Sequence, residues 1–486
     1  MATAAAGVAT DTARGVCPPG GSGAAASRRR VLRGIGLAAV APLPGAALGA
    51  CAGQGGAPGD GSKAPPKADL RMMFFHAQWK EAFDEVIRNF QQRNPTITVE
   101  FGTAPPGGPG YIGAATAALA AGSGPDVMSV NWDLVRTWTT RGNLVDLTPE
   151  VNRDKAFAKD LAAYHPKIQA LMKWENKQRG VGLDHDVVAL YWNVSLFQQA
   201  QVRPLTDVHD KWTWNDLLDV ARRLTKKPEH QYGFWGHSVG GQTSFWPLIF
   251  ANGGKVVSAD GSSFAPMLEP AAVEAVQWLT DTAVRHGVAP LPDEIRAATG
   301  GTSAATLFTQ GKLAMMIGGS WTANTYITTI KDFEWDVAHL PHAPRTGKRS
   351  SVLHGTGFGI NVDGRSVDAS VLFAKHLATR ETHKVYGSTG IIQSARMDEW
   401  DSFYASPKPP KHRSVLKEAV EYAHEHPLTG QWGVITYDAT DPIEAALGRV
   451  FTGEVAVREG LQTGVTQADQ ELAKRVAEVK AATAKR

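Results

Sequence analysis

The chain has 486 residues, of which 43% are hydrophobic and 20% are charged, and its net charge is +3. This composition is too apolar for a disordered chain, and two cysteines are too few for a disulfide scaffold. The near-neutral charge disfavours a protein that binds nucleic acid through phosphate contacts. After residue 50 the sequence contains no run of about 18 apolar residues, the length that would predict a membrane span. The length suggests about two or three domains.

An export signal is predicted for residues 1–50. The basic segment 27–33 opens with Ser-Arg-Arg and resembles a twin-arginine signal, and the uncharged run 34–50 follows it. That run is short and contains two prolines, which disfavours the alternative of a permanent anchor helix. It ends in Leu-Gly-Ala before Cys51, which resembles a bacterial lipobox and predicts lipidation of that cysteine. Residues 51–68, rich in Gly, Pro, Ser and Lys, are predicted to be a flexible tether.

The signal predicts a mature protein on the extracytoplasmic face of the cell membrane, held there by its lipid. The other cysteine, Cys17, would leave with the signal, so we expect no disulfide within one mature chain. The sequence leaves open whether the twin-arginine or the general secretion route is used. We expect the mature protein to be a monomer.

Strand and helix patterns alternate from residue 69 onward. An apolar run at 70–75, hydrophobic residues at helical spacing over 79–94 and a second apolar run at 96–101 predict a β-α-β unit. Further predicted elements are a helix at 111–121, a strand at 126–130, helix 132–141, strand 187–192, helix 269–286 and a C-terminal amphipathic helix. The sequence shows no internal repeat and predicts an α/β fold with open sheets.

A Gly-x-Ser-x-Gly pattern at 236–240 raises the alternative of a secreted lipoprotein serine esterase that uses Ser238. Residues 232–235 before it are a candidate strand. However, a helix should begin directly after such a nucleophile, and Gly-Gly-Gln-Thr at 240–243 continues as a loop. The similar His-Gly-Thr-Gly pattern that begins at His354 follows the serine instead of preceding it. We interpret the pattern as a Gly-rich loop that lines a cleft.

Two short segments that contain histidine are candidate metal sites. His424 and His426 flank Glu425 on a predicted helix, where they would point to opposite sides. Asp-His-Asp at 184–186 has oxygen and nitrogen ligands, but the Cys and His spacing of a zinc site is absent from the sequence. We therefore predict structural or ligand-binding roles, with no metal and no cofactor.

Three of the 14 tryptophans are predicted to lie in loops at strand ends and off the core faces. These are Trp79, Trp132 and Trp321. Ligand sites of open α/β sheets lie at such loops. An indole face suits a sugar, because the C–H patches of a pyranose stack on it while the hydroxyls bind carboxylates and amides.

Six short motifs follow one another along the chain. They are Gly-Pro-Asp-Val at 124–127, Leu-Tyr-Trp-Asn leading to Leu-Phe over 190–197, Trp-Thr-Trp-Asn-Asp-Leu at 212–217, Ala-Asn-Gly-Gly at 251–254, Phe-Thr-Gln-Gly-Lys-Leu-Ala-Met-Met at 308–316 and Gly-Ser-Trp at 319–321. In this order, behind a lipoprotein signal, they resemble the extracellular solute-binding proteins of ABC importers, in the sugar-binding branch that includes maltodextrin-binding proteins. The resemblance covers essentially all of residues 69–486.

The resemblance implies a two-lobed α/β fold like that of periplasmic binding proteins, with open sheets connected by a hinge. The implied limits are 69–188 and 361–408 for lobe 1, 193–354 and 413–486 for lobe 2, and 189–193, 355–360 and 407–412 for the hinge.

The resemblance also implies the ligand-binding residues. They are Gln78, Trp79, Asn131, Trp132, Asp133, Asp184, Asp186, Gln242, Thr243, Trp321, Gly355, Thr356 and Tyr437. Among them Asp133 matches a hydroxyl-binding acid, and Trp321 and Tyr437 match stacking aromatics. Asn131 and Trp132 depart from the maltodextrin pattern, which leaves the identity of the sugar open.

The resemblance implies a binding protein and not an enzyme. It would capture a sugar or oligosaccharide and deliver it to the transmembrane subunits of an ABC permease. The loops that carry the implied site contain no Arg or Lys, which favours a neutral ligand over a phosphate. The alternatives are the esterase that uses Ser238 and a binding protein for a polyol or another non-sugar solute.

Overall fold

The structure of the protein is a computed structural model. It describes residues 67–75, 79–103, 108–208, 211–237, 240–424 and 442–483. Several sequence predictions fall outside these ranges, namely the export signal, most of the tether, the lipidated Cys51, Ser238, and the site residues Gln78 and Tyr437.

Strands and helices alternate along most of the described chain. The strands are β1 Ala68–Phe74, β2 Ile97–Thr103, β3 Val127–Asn131, β4 Lys173–Trp174, β5 Lys177–Gln178, β6 Gly180–Gly182, β7 Asp186–Asn193, β8 Met315–Gly319, β9 Trp335–Ala338, β10 Ser351–His354, β11 Thr356–Ile360 and β12 Ala423–His424. The helices are α1 Lys80–Arg93, α2 Gly108–Ala120, α3 Trp132–Thr140, α4 Thr148–Arg153, α5 Lys155–Ala162, α6 Pro166–Leu171, α7 Val194–Gln199, α8 Trp214–Leu224, α9 Phe245–Ala251, α10 Pro270–Val284, α11 Pro292–Thr299, α12 Ala304–Thr309, α13 Thr322–Thr329, α14 Val367–Leu377, α15 Arg380–Ser388, α16 Trp400–Tyr404, α17 Ser414–Tyr422, α18 Pro442–Phe451 and α19 Val457–Thr483. None of these helices has both the length and the apolar character that a membrane span requires.

The first sheet has the strand order β2-β1-β3-β11-β6. β1 pairs in parallel with β2 and β3, whereas β11 pairs antiparallel with β3 and β6. Helix α1 connects β1 to β2 and buries a face that includes Phe83, Val86 and Phe90. The β-α-β unit predicted from the apolar spacing is confirmed, because side chains three and four residues apart lie on one helix face.

The second sheet is built on β7, which is buried along almost its whole length. β8, β9 and β10 pair antiparallel with β7, and β12 pairs in parallel with β10. The continuous apolar run 187–192 fits this central position, because a strand covered on both faces needs no alternation of polar and apolar residues.

The chain passes between the two sheets at short segments. It leaves the first sheet after Gly182 and enters the second at Asp186, and it returns at Gly355, which separates β10 from β11. Residues 189–193, predicted as a crossing, pair with β8 and β9 within the second sheet. The lobe and hinge limits, including 407–412, stay predictions.

The helix predicted around His424 and His426 is wrong in its extent. Helix α17 ends at Tyr422, and His424 lies in β12. The edge of β10 offers hydrogen-bonding groups to an added strand, and the His424 ring stacks on Phe250 with ring centroids 4.7 Å apart. These tertiary contacts favour an extended conformation over another helical turn. His426 lies outside the described residues.

The candidate strand at 232–235 does not form. Tyr232 and Trp235 each make an isolated bridge, and between them the Phe234 amide donates a hydrogen bond to the Val288 carbonyl at 3.1 Å. The strand that the esterase alternative requires is therefore absent from this part of the described chain.

Candidate functional site

Three aromatic rings meet where the two sheets approach each other. Trp132 begins α3 directly after β3, Trp321 follows β8, and His354 ends β10. The His354 ring lies 6.0 Å from the Trp132 ring and 5.1 Å from the Trp321 ring, with edge-on geometry in both pairs. The Trp132 amide also donates to the Gly355 carbonyl at 3.3 Å. Burial lowers the pKa of His354 to about 3, so this imidazole is neutral at physiological pH.

A hydrogen-bond network lies beside the rings, at the passage from the first sheet to the second. The Asp186 carboxylate accepts hydrogen bonds from Ser320 Oγ at 2.5 Å and from Gln393 Nε2 at 3.2 Å. The Asp184 carboxylate accepts one from the Thr356 amide at 2.7 Å. Burial raises the pKa of both carboxyls, and for Asp184 the nearby Asp186 charge raises it further. The pair therefore resists carrying two negative charges at once.

A third buried carboxyl, Asp133, lies in the first turn of α3. Its Oδ1 accepts a hydrogen bond from the Leu134 amide at 2.9 Å, whereas Oδ2 is buried without a hydrogen-bond partner among the described residues. Burial raises the pKa of Asp133 to about 7. Asn131 ends the preceding strand, β3, and stands opposite Thr356 of β11 in the sheet register. The polar residues predicted at 131, 133 and 356 thus share one edge of the first sheet.

A cavity of about 620 Å³ opens beside Trp321, within the range of about 300–1,000 Å³ that is usual for ligand sites. Three predicted site residues, Trp321, Gln242 and Thr243, are in its wall. Further wall residues that were not predicted from the sequence are Trp235, His237, Pro290, Pro292, Ile295, Thr302, Ser303, Thr322, Phe451 and Thr452.

The described wall of this cavity carries no Lys, Arg, Asp or Glu. His237 is its titratable side chain; burial lowers the pKa of that imidazole to about 4, and His237 Nε2 lies 2.8 Å from the Leu279 carbonyl. The part of the wall that the structure describes is therefore uncharged at neutral pH. Hydroxyl and amide groups from Gln242, Thr243 and their neighbours alternate with aromatic and proline surfaces, a combination that suits a neutral ligand with hydroxyl groups.

The structure does not bring all the predicted site residues to this cavity. Trp79 is only 3% exposed and packs against Phe74, with ring centroids 5.4 Å apart, and Trp132 is 2% exposed. The prediction that these two indoles lie off the core is wrong, because both rings are buried, Trp79 against Phe74 and Trp132 against His354. Trp321 is the part-exposed member of the three.

Two polar residues of the network were not identified from the sequence. Ser320 lies inside the Gly-Ser-Trp motif, and that motif is the local sequence signal for it. Gln393 carries no local signal, because it reaches Asp186 from 207 positions further along the chain. Contacts of such range depend on the tertiary fold.

The described residues contain no group of three or more His, Cys, Asp or Glu side chains placed to hold a metal ion. At the Asp-His-Asp cluster, His185 Nδ1 lies 2.9 Å from the Ser394 carbonyl and Nε2 lies 3.2 Å from the Tyr404 hydroxyl. Both ring nitrogens of His185 therefore have protein partners.

Solved structures share this architecture. An ABC substrate-binding protein from Listeria monocytogenes in complex with cycloalternan is 23% identical, with a TM-score of 0.73 over 85% of this chain and 100% of that one. The GacH receptor of Streptomyces glaucescens, solved unliganded and with acarbose, has a TM-score of 0.66 at 20% identity over 84% and 99% of the two chains. The maltodextrin-binding domain from Bdellovibrio bacteriovorus bound to maltotriose has a TM-score of 0.67 at 16% identity over 83% and 100%. The two-lobed periplasmic-binding-protein fold predicted from the sequence is thereby confirmed.

Sequence relatives point the same way. Binding proteins of Brucella abortus and Brucella suis are each 22% identical over 276 residues, which are 55% of this chain and 61% of theirs. The match thus spans less than two thirds of these relatives. The family model for bacterial extracellular solute-binding proteins matches residues 76–384, more than half of the chain. This agrees with the prediction of a binding protein and not an enzyme, and the chain belongs to the family of bacterial extracellular solute-binding proteins.

Proposed function

We propose that the protein captures a neutral sugar or oligosaccharide outside the cytoplasm and delivers it to the permease subunits of an ABC importer. The observation that carries this proposal is a cavity whose described wall is uncharged and includes the part-exposed Trp321. Structural neighbours in complex with cycloalternan, acarbose and maltotriose support it, because all three ligands are oligosaccharides or analogues of them.

The remaining parts of the site give the proposal its polar contacts. Trp321 would stack on a pyranose face, and Gln242 and Thr243 would bind its hydroxyls. Asp133 and Asn131, at the edge of the first sheet, would contact the same ligand from the other lobe. Binding of the ligand would then favour closure of the lobes, because a ligand that makes more contacts in the closed state shifts the equilibrium toward that state.

The place of action belongs to the same proposal. The family is extracellular, and the predicted signal and lipid at Cys51 would hold the protein beside the permease that it serves. The mature protein would act as a monomer, with lobe limits and hinge segments as the sequence predicts.

Thermal unfolding of the purified protein with a panel of sugars tests the proposal. Maltose, maltotriose and mannotriose are the neutral probes, and glucose 6-phosphate is the charged control. A ligand at a hundred times its Kd stabilises the folded state by about 2.7 kcal/mol, so binding raises Tm. We expect a shift with at least one neutral sugar, none with the phosphate, and a reduced shift in Trp321→Ala. No shift with any carbohydrate at millimolar concentration contradicts the proposal.

The two alternatives predict other outcomes. A polyol-binding protein would respond to sorbitol or mannitol and not to the sugars. An esterase would be labelled by a serine-reactive phosphonate, and Ser238→Ala would abolish the label.

A further inference from the structure

The indole of Trp321 rests on a glycine of the strand that precedes it. A Cβ atom built on Gly319 would lie 2.2 Å from Cη2 and 2.3 Å from both Cζ2 and Cζ3 of Trp321. Three adjacent ring atoms can be nearly equidistant from one point only when that point lies over the ring face, since an approach in the ring plane brings the middle atom much closer. The six-membered ring therefore lies flat on the Gly319 backbone.

The backbone on either side of Trp321 in the chain is fixed by hydrogen bonds and by a helix. Ser320, between Gly319 and Trp321, donates its amide to the Val187 carbonyl at 2.8 Å, and its hydroxyl donates to Asp186. Helix α13 begins directly after Trp321. The ring is fixed further by the edge-on contact with His354 described above. One indole face is thus covered by Gly319, while Trp321 remains part-exposed in the cavity wall.

We infer that Gly319 is a positioning residue that sets the uncovered face of Trp321 toward the cavity before any ligand arrives. Its use in sugar recognition rests on the function proposed above. A side chain that is already in its bound orientation loses less conformational freedom on binding, which raises affinity without a new contact. No other residue type at 319 leaves room for the ring, because any Cβ would lie far inside the normal separation of about 3.5–4.0 Å between carbon atoms.

The first test needs no ligand. The ¹⁵N–¹H resonance of the Trp321 indole is assigned by its loss in Trp321→Ala, and Gly319→Ala is compared with Gly318→Ala. Neighbouring residues of a strand face opposite ways, and a Cβ at Gly318 would meet the Tyr191 ring at a tolerable 3.3 Å. We expect Gly319→Ala to displace the Trp321 resonance and Gly318→Ala to leave it near its original position. An unmoved resonance in Gly319→Ala overturns the inference.

A cycle of variants separates positioning from a general loss of structure. Gly319→Ala should lower Tm by several degrees in the wild-type protein, and by less than half as much when Trp321→Ala is also present, because the colliding ring is then gone. If Gly319→Ala does not fold, the double variant should fold as well as Trp321→Ala. Equal destabilisation in both backgrounds contradicts a role that acts through Trp321.

Maltotriose then tests the use of the indole face. In the wild-type protein it should shift the Trp321 resonance, and Gly319→Ala should weaken its binding on the order of tenfold, the worth of one aromatic stack. If Gly319→Ala moves the resonance while millimolar maltotriose leaves it unmoved in the wild type, Gly319 sets the indole but this sugar is not the ligand.

Discussion

Replacing Arg413 by Met is expected to lower the free energy of unfolding by about 4 kcal/mol. Arg413 is only 1% exposed, and its guanidinium donates hydrogen bonds to the carbonyls of Lys408, Pro409, Gly390 and Phe403 at 3.0–3.3 Å. The guanidinium carbon also lies 4.3 Å from the Phe403 ring centroid. The side chain therefore links the 408–410 segment, which lies within the predicted third crossing, to the backbone at Gly390 and at Phe403.

The magnitude is the balance of two opposed effects. The carbonyls of Gly390 and Phe403, which accept in buried bonds, lose this donor at a cost of about 1–3 kcal/mol each, and the part-buried bonds to Lys408 and Pro409 contribute about 0.5–1.5 kcal/mol each. The substitution also removes the cost of burying the cation. Burial lowers the pKa of Arg413 from 12.5 to about 10, which corresponds to at most about 3 kcal/mol and less after solvent screening. The lost hydrogen bonds sum to about 3–9 kcal/mol and outweigh this gain, which leaves about 4 kcal/mol of destabilisation at the middle of the range.

Urea unfolding followed by circular dichroism measures the effect. The matched control is Arg222→Met, since Arg222 is half-exposed and pairs with the exposed Asp219, an arrangement worth at most about 1 kcal/mol. Arg413→Lys should fall between wild type and Arg413→Met, because it keeps the charge with three donors in place of five. A loss below about 1 kcal/mol in Arg413→Met, with an unchanged dependence on urea, refutes the reasoning, since the desolvation cost of the cation would then match all of its hydrogen bonds.

Two further predictions concern pH and anchoring. An acid whose pKa is raised by folding contributes stability that is complete below its unfolded pKa and is lost as pH rises to the folded pKa, which is about 7 for Asp133. Asp133→Asn should therefore stabilise the unliganded protein, and the gain should be about 2 kcal/mol larger at pH 8.5 than at pH 5.5. Denaturant titrations at the two pH values measure this difference. A gain that is the same at both pH values would contradict a buried carboxyl with a raised pKa. Cys51→Ala should move the exported protein from the membrane fraction to the soluble fraction, whereas retention at the membrane would disprove the predicted lipid anchor.

Local sequence patterns were sufficient to predict the helices and strands whose conformation depends on residues nearby in the chain. The apolar spacing over 70–101 predicted β1, α1 and β2, since each of these buries a face that the sequence shows directly. Around His424 the same kind of reasoning failed. The competing conformation there is supplied by the edge of β10 and by Phe250, which are distant in the chain.

In the candidate site, too, some features could be predicted from local sequence and others could not. Trp321 was predicted to lie in a loop at a strand end, off the core faces. Trp79 and Trp132 have the same local setting, yet both are buried. The rings differ in their other neighbours: Trp79 lies against Phe74, whereas Trp321, which shares the edge-on contact with His354 with Trp132, also lies on the bare backbone of Gly319. Gly319 belongs to the same Gly-Ser-Trp motif as Trp321, whereas His354 comes from a distant strand, so the sequence around each indole does not by itself show how far that indole is buried.

The three consecutive residues 319–321 join the cavity to the passage between the sheets. Gly319 seats the indole, Trp321 enters the cavity wall, and Ser320 between them accepts a hydrogen bond from Gln393 Nε2 at 2.6 Å while donating to Asp186 at 2.5 Å. The segment that carries the indole is therefore hydrogen-bonded both to Asp186 at the start of β7 and to Gln393, which belongs to the predicted lobe 1. Under the proposed function, a sugar stacked on Trp321 would act on the relative position of the two lobes through Ser320 and its partner Gln393. Weakening that connection with Ser320→Ala should change lobe closure more than it changes the stacking contact itself.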